Sequence, residues 1–319
     1  MKAIQVLGEK AAPQIVLTSD LPKPVPKGND ILIKVYAAGI TADEVTWVEL
    51  YDSANRVPGH DISGVVEAVG PEYDGALSPG DEVYAMLRAS ASQGGQAEYV
   101  IASSDEVSPK PKSLSHAEAA ALPIPILTAW EAISDHAKLE PHSKVLITGA
   151  SGAVGLMLVQ LAQKLADAKV IGLASPSNHD RLKKLGVSQV IDYNEEDWEQ
   201  AAGQVDVVFD TAGSSTLSKS WQIVKGNGAI ITVADPPPPW AFGRGKPEEL
   251  REHPNVKWVY FVVTARAEPL ARAAAFLDEG SMKPIPVKTF TIDQGLEAWA
   301  YAARRGREGK AVIQFDRSH

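Results

Sequence analysis

A glycine-rich turn between an apolar strand and an apolar helix most strongly limits what this chain can fold into. Residues 144–155 read KVLITGASGAVG, and Gly149, Gly152 and Gly155 are spaced three residues apart. Glycine lets backbone amides approach a pyrophosphate closely, and the N-terminus of the following helix adds its amides and its dipole. In this strand–turn–helix context the glycines predict a dinucleotide-binding domain. A tight turn that holds no ligand is the alternative.

Strands and helices alternate after the turn, which predicts an α/β domain with a doubly wound parallel sheet of the Rossmann type. Helix 153–166 is apolar nearly all round, as a helix packed on a sheet should be. Further strands are expected at 169–174, 189–191, 205–210, 229–233 and 258–263. The first 110 residues instead show short strands separated by proline and glycine turns. That pattern predicts a separate β-rich, barrel-like domain.

Composition excludes several classes of function. The 319 residues include no cysteine, which rules out disulfides, thiolate catalysis, Cys-ligated zinc and iron–sulfur clusters. The net charge of -9 disfavours binding to nucleic acid. Pro123 and Pro125 interrupt the apolar stretch 117–133, and no secretory signal is visible. We therefore expect a cytoplasmic protein that binds neither nucleic acid nor a membrane.

The end of the second α/β strand bears on the choice between NAD and NADP. An NAD site places an acidic side chain there, on the ribose hydroxyls. The residues that follow strand 169–174 here, SPSNH, include no carboxylate. Ser175 and Asn178 can donate hydrogen bonds to a 2′-phosphate, and His179 or Arg181 can add positive charge, so NADP(H) is favoured. The alternative makes Ser175 and Asn178 ordinary turn and helix-cap residues.

Nine short blocks occur in an order that matches one known family. They are AAGI at 37–40, PGHD with SGVV at 58–66, GDEV at 80–83, GQAEYV at 95–100, AAALP at 119–123, LTAW at 127–130, the glycine-rich turn, VIDY at 190–193 and GKAV at 309–312. On these blocks the whole chain resembles the medium-chain dehydrogenase/reductase superfamily, and most of all its zinc-free quinone oxidoreductase branch, which includes zeta-crystallin. The resemblance implies a Rossmann domain over 125–265, inserted in a β-rich GroES-like catalytic domain made of 1–124 and 266–319.

The cofactor contacts that we expect come from the turn, from the end of the second strand and from three further positions that match the family. They are Thr128, Gly149, Ser151, Gly152, Ala153, Val154, Gly155, Ser175, Asn178, His179, Tyr193 and Lys310. For Lys310, an ordinary solvated lysine is the alternative.

The residues at the family's metal position depart from the zinc-dependent members. Thr41 stands where those members have a cysteine, and of the other ligand blocks only His60 with Asp61 survives. A catalytic zinc site has three protein ligands and a water, so no metal is expected. His60 is then either an active-site residue or a hydrogen-bonded residue at the end of a strand.

Without a metal to stabilise an alkoxide, quinones and α,β-unsaturated carbonyls are the expected substrates. Hydride transfer to either gives a delocalised phenolate or enolate that needs only hydrogen-bond donors. The candidate proton donors are Tyr51, Thr41 and His60, although Tyr51 can equally be a half-buried loop aromatic. The candidate walls of a flat, hydrophobic substrate site are Trp47, Trp240 and Phe242, with core packing as the alternative for each.

The run WVYFVV at 258–263 is strongly β-prone and would be an aggregation hazard if exposed. In the family the equivalent edge strands pair across a two-fold axis, so the resemblance implies a homodimer through this strand. A buried internal strand is the alternative.

Two other functions stay open beside the NADPH-dependent quinone or enone reductase, since fold does not fix function. They are a carbonyl reductase of a biosynthetic pathway and a non-catalytic NADPH-binding protein.

Overall fold

The computed structural model describes residues 1–8, 12–41, 44–46, 55–88, 93–195 and 197–316. The chain divides into two compact units. Unit 1 comprises Met1–Leu127 and Ala265–His319, and unit 2 comprises Thr128–Thr264. The division that the resemblance implies lies within a few residues of these boundaries.

The strands, in chain order, are β1 (Ala3–Leu7), β2 (Gln14–Thr18), β3 (Ile31–Gly39), β4 (Asp61–Val69), β5 (Glu82–Met86), β6 (Tyr99–Ala102), β7 (Val107–Pro109), β8 (Lys144–Ile147), β9 (Lys169–Leu173), β10 (Gln189–Ile191), β11 (Val205–Asp210), β12 (Val224–Thr232), β13 (Lys257–Tyr260), β14 (Val287–Thr291) and β15 (Lys310–Gln314). The helices are α1 (His116–Ala119), α2 (Pro123–Glu131), α3 (Ala153–Ala166), α4 (His179–Lys184), α5 (Trp198–Ala202), α6 (Ser214–Ser220), α7 (Ala267–Asp278) and α8 (Gly295–Ala302). A π-helix, Ala132–Ala137, continues α2.

Unit 2 is a doubly wound α/β domain, so the fold class expected from the sequence is confirmed. Its strands lie in the order β10-β9-β8-β11-β12-β13, and every pairing is parallel. The order reverses between β8 and β11, because the chain first builds the sheet toward β10 and then returns to add β11 on the other side. Sheets of this kind bind ligands outside the carboxyl ends of their strands at that switch point.

Unit 1 contains the larger sheet, with β14-β15-β3-β4-β5-β7 in spatial order and β6 paired with β3. Its pairings are antiparallel except that between β14 and β15. Buried aliphatic side chains on β3, β4 and β15 form its core together with Trp299 of α8. This sheet brings the start of β4 next to the start of β15, although the two are far apart in the chain.

One helix begins at a proline inside the interrupted apolar stretch. Two prolines interrupt the apolar stretch 117–133, yet α2 begins at the first of them, Pro123, and contains Pro125. Proline is tolerated in the first turn of a helix because the N–H that it lacks would have no intrahelical acceptor there.

The β-prone run at 258–263 is only partly a strand. β13 covers Lys257–Tyr260 and lies at one edge of the six-stranded sheet, so the alternative of a buried internal strand is wrong. Across the described ranges, no helix is long and apolar enough to cross a membrane.

Candidate active site

The glycine-rich turn leaves β8 at the switch point and leads into α3. Gly149 has a φ of +62°, and a Cβ atom there would overlap Oγ1 of Thr211. A Cβ atom at Gly155 would overlap the carbonyl oxygen of Gly149, so helix and turn approach as closely as only glycine allows. Gly152 caps α3 without a side-chain hydrogen bond. The first N–H groups of the helix are therefore available to an anion, and the turn fits a dinucleotide pyrophosphate.

The end of β9 presents neutral hydrogen-bonding groups. The Nδ2 atom of Asn178 donates to Oγ of Ser175 at 3.0 Å, and the hydroxyls of Ser175 and Ser177 lie 3.2 Å apart. The Nε2 atom of His179 lies 3.2 Å from the carbonyl oxygen of Ala174, to which it can donate. This contact joins the His179 ring to the backbone directly after β9.

Arg181 is the half-buried cation of this region, whereas Lys183 and Lys184 on the same helix are exposed. It is half-buried in α4, and burial alone lowers the pKa of its guanidinium group. No ion pair involves it within the described ranges.

The remaining cofactor candidates differ in exposure. Thr128 is buried in α2, whereas Tyr193 is 50% exposed after β10. Ser151, Ala153 and Val154 are half-buried on the turn and the start of α3. Their contacts with a cofactor stay predictions.

In unit 1, Asp61 belongs to the block in which the resemblance implies metal ligands for the zinc-dependent members, and it is half of a buried ion pair. Asp61 is 1% exposed and accepts the N–H of Ile124 at 2.6 Å. Its other oxygen is paired with the ammonium group of Lys310, which is itself buried. Gly39 closes the pair in, because a Cβ atom there would lie 3.1 Å from Cβ of Asp61 and 3.3 Å from Cε of Lys310. The alternative of a solvated Lys310 is therefore wrong.

His60 directly precedes Asp61 in the sequence. It is also buried, but it contacts different partners. Its Nδ1 atom lies 3.0 Å from the carbonyl oxygen of Leu87, and its Nε2 atom lies 3.4 Å from Oε1 of Glu44. The same Glu44 oxygen accepts the N–H of Gly59 at 2.6 Å. Glu44 is fully buried and is a residue that the sequence analysis missed. Whether His60 acts on a substrate stays a prediction.

The other catalytic and substrate candidates are only partly described. Tyr51 and Trp47 lie outside the described residues, and Thr41 is half-buried. Trp240 is 8% exposed and packs in the core of unit 2, with its ring 5.1 Å from that of Trp258. Phe242 is 45% exposed, and its ring lies 5.0 Å from that of Tyr260. Trp240 thus packs as its alternative describes, whereas Phe242 stays largely exposed, with the guanidinium carbon of Arg244 5.3 Å from its ring centroid.

Two family models match separate parts of the chain. Residues 27–112 match the alcohol dehydrogenase GroES-like domain, and residues 185–313 match a zinc-binding dehydrogenase. The chain is also 32% identical to the 2-methylene-furan-3-one reductase of Solanum lycopersicum, over 98% of this chain and 79% of that protein. This chain belongs to the medium-chain dehydrogenase/reductase superfamily. It is a pyridine-nucleotide-dependent oxidoreductase, and the family expected from the nine sequence blocks is confirmed.

Two further comparisons support the assignment of this chain to the superfamily. It is 29% identical to the chloroplastic NADPH-dependent alkenal/one oxidoreductase of Arabidopsis thaliana, over 93% of this chain and 75% of that protein. The solved structure of the quinone oxidoreductase from Coxiella burnetii matches with a TM-score of 0.83 and 28% identity. That match covers 98% of this chain and 99% of the other.

The description of one family model implies zinc, but the residues present do not fit it. The carboxylate of Asp61 is held by Lys310 and a backbone N–H, and both ring nitrogens of His60 have protein partners. Thr41 offers a hydroxyl where a thiolate is needed. Within the described ranges, no three His, Asp or Glu side chains cluster in a way that could hold a metal ion, whereas a catalytic zinc needs three protein ligands.

Proposed function

We propose that this dehydrogenase/reductase uses NADPH to reduce quinones or α,β-unsaturated carbonyls, without a zinc ion. The observation that carries the proposal is the buried ion pair between Asp61 and Lys310. Lys310 already pairs with the Asp61 carboxylate, which a metal ion would need as a ligand, so no Lewis acid is available at that position. Substrates whose reduced form spreads its negative charge by conjugation need none.

The end of β9 supports NADPH rather than NADH. Ser175 and Asn178 offer hydrogen bonds, Arg181 is a cation without a counter-charge among the described residues, and no carboxylate occurs after the strand before Asp180. A carboxylate there would accept bonds from the ribose hydroxyls and repel a 2′-phosphate. The Arabidopsis relative is named as NADPH-dependent.

The chemistry divides between cofactor and protein. NADPH supplies the hydride when it is bound. The chain's own residues bind the cofactor through the turn at 149–155, and they provide hydrogen-bond donors for the substrate oxygen. Thr41, Tyr51 and His60 stay the candidate donors for that oxygen.

The assembly and the location are also proposals. β13 is an edge strand of its sheet. The exposed Phe242 has its ring 5.0 Å from that of Tyr260 in β13, and the exposed Val262 follows the strand by two residues. These features favour a homodimer through this edge. A cytoplasmic location stays a prediction, and the Arabidopsis relative is chloroplastic.

The first experiment measures NADPH oxidation by the full chain after treatment with a chelator. A quinone, a conjugated enone and a saturated ketone are compared as acceptors, with NADH in parallel. We expect turnover of the quinone or the enone, little of the ketone, and a preference for NADPH. Loss of activity on chelation, or preferred reduction of the saturated ketone, would contradict the proposal. NADPH binding without turnover of any acceptor would favour the non-catalytic alternative.

A variant pair tests the phosphate contact. We expect Arg181→Ala to raise the KM for NADPH roughly tenfold to a hundredfold, because a charged hydrogen bond to phosphate contributes about 1.5–3 kcal/mol. The KM for NADH should stay the same. Lys183→Ala is the matched control, since Lys183 is an exposed cation on the same helix. Equal effects of Arg181→Ala on both cofactors would remove Arg181 from the phosphate site.

A further inference from the structure

A buried carboxylate that the proposed function does not use lies at the end of β11. Asp210 is 1% exposed. The hydroxyls of Thr148 and Thr232 donate to its two oxygens at 2.6 and 2.7 Å. The N–H groups of Ala212 and Gly213 approach Oδ1 at 3.3 and 3.0 Å. In the part of the chain that the structure describes, no cationic side chain is paired with it.

These donors join the carboxyl ends of three neighbouring strands. Thr148 directly follows β8, Asp210 ends β11 and Thr232 ends β12. The bond between Thr148 and Asp210 therefore crosses from β8 to β11, the place where the strand order reverses. It links the two halves of the sheet at the crevice where such folds bind their ligands.

Thr148 also connects this network to the glycine-rich turn, because the next residue is Gly149. Its hydroxyl oxygen accepts the N–H of Thr211 at 3.0 Å, and its carbonyl oxygen accepts the hydroxyl of Thr211 at 2.8 Å. The Thr211 hydroxyl fills the space that a Cβ atom of Gly149 would need. The start of the turn is thus held by Thr148, which precedes it in the chain, and by Thr211, which contacts it from directly after the end of β11.

We infer that Asp210 is a positioning residue that fixes the Gly149 turn, through Thr148, in the conformation that binds the cofactor pyrophosphate. The inference rests on the proposed cofactor site. A carboxylate suits the position because its two oxygens accept from both threonines and from two backbone N–H groups at once. An amide of the same size has a single acceptor oxygen.

Two valine substitutions form a matched test. Thr148→Val and Thr232→Val each remove one hydroxyl donor from Asp210, and both sites are fully buried. Only Thr148 is joined to the turn. We expect Thr148→Val to raise the Kd for NADPH about tenfold, the value of one hydrogen bond, and Thr232→Val to change it less than about twofold. Both should lower the thermal midpoint by a similar amount.

The kinetic constants separate positioning from general damage. Thr148→Val should raise the KM for NADPH while kcat stays near that of the wild type, and Thr148→Ser, which keeps the hydroxyl, should restore the KM. Equal changes in Kd for the two valine variants, or no change in either, would overturn the inference. If Thr148→Val does not fold, Asp210→Asn against Thr232→Val gives the same contrast.

Amide hydrogen exchange of the cofactor-free protein tests the inference without a cofactor. Amides 150–155 should exchange faster in Thr148→Val than in Thr232→Val. Equal exchange in the two variants would contradict the positioning role. Wild-type protein that binds neither NADPH nor NADH would instead contradict the proposed function, so the two failures are distinguishable.

Discussion

Two buried aspartates, one in each unit, are satisfied in opposite ways. In unit 1, the carboxylate of Asp61 is paired with the ammonium group of Lys310 and one backbone N–H. In unit 2, Asp210 accepts from two hydroxyls and two backbone N–H groups. The first carboxylate is balanced by charge, and the second is balanced by neutral dipoles.

The difference predicts which substitutions most reduce the stability of each site. An ion pair places nearly all of the compensation on one partner, so losing either partner leaves a buried charge. Four neutral donors share the compensation, so the loss of one costs little more than an ordinary hydrogen bond. The pair in unit 1 ties two distant chain segments together, whereas the network in unit 2 gathers strand ends around a turn.

The largest expected effect comes from Asp61→Asn. This change leaves the buried ammonium group of Lys310 without a counter-charge, so we expect the free energy of unfolding to fall by about 3–5 kcal/mol. Equilibrium denaturation of the full chain, followed by more than one probe, measures it. Adding Lys310→Met to the same protein should recover much of the loss. A double variant as unstable as the sum of the two single variants would refute the charge-balance account.

The same substitution at the other aspartate should cost less. Asp210→Asn keeps the shape, and the hydroxyl of Thr232 can rotate to accept from the new amide. We expect a loss of about 1–2 kcal/mol in the free energy of unfolding, since the remaining hydrogen bonds lose their charge assistance. The measurement is made beside Asp61→Asn under identical conditions. Equal losses for the two variants would end the distinction between the sites.

A third pair of variants tests whether the difference in stability loss comes from the charge of the buried partner or from the unit in which the residue lies. In unit 1, the hydroxyl of Tyr84 donates to the carbonyl oxygen of Leu270 at 2.6 Å, and burial raises the pKa of Tyr84, so it is a neutral donor. We expect Tyr84→Phe and Thr232→Val each to cost roughly 1 kcal/mol, although they lie in different units. A much larger cost for Tyr84→Phe would assign the sensitivity to unit 1 as a whole.

The shape of the glycine-rich turn could be predicted from the sequence because its chemistry is local. The glycines of the turn are closely spaced, and turn chemistry depends on short spacing. The cofactor contacts of the turn and of the residues after β9 stay a proposal. The start of α2 is not evident from the sequence, because Pro123 and Pro125 are residues that usually interrupt a helix. Their effect depends on falling in the first turn, which the pattern alone does not reveal.

The ion pair of unit 1 and the network of unit 2 could not be read in the same way. Asp61 and Lys310 are 249 positions apart, and only the pairing of β4 with β3 and of β3 with β15 brings them together. Nothing local distinguishes a buried Lys310 from a solvated one. Asp210 likewise looks like the last residue of a strand until the neighbouring strands supply Thr148 and Thr232.

The smallest expected effect concerns Glu82 of unit 1, a 56% exposed carboxylate that lies 3.3 Å from the ammonium group of Lys110 and 3.1 Å from Nε2 of His116. Burial acts to raise its pKa, but Lys110 and His116 hold the pKa below its usual value. A depressed pKa stabilises the fold above about pH 4.3, the unfolded value, and that stability disappears as the pH falls through the folded value. Solvent screening keeps it under about 1 kcal/mol. Glu82→Gln should therefore flatten the acid side of the stability profile slightly, and the exposed control Glu72→Gln should not. An effect as large as that of Asp61→Asn would mean that neighbouring cations, rather than burial, set the sensitivity.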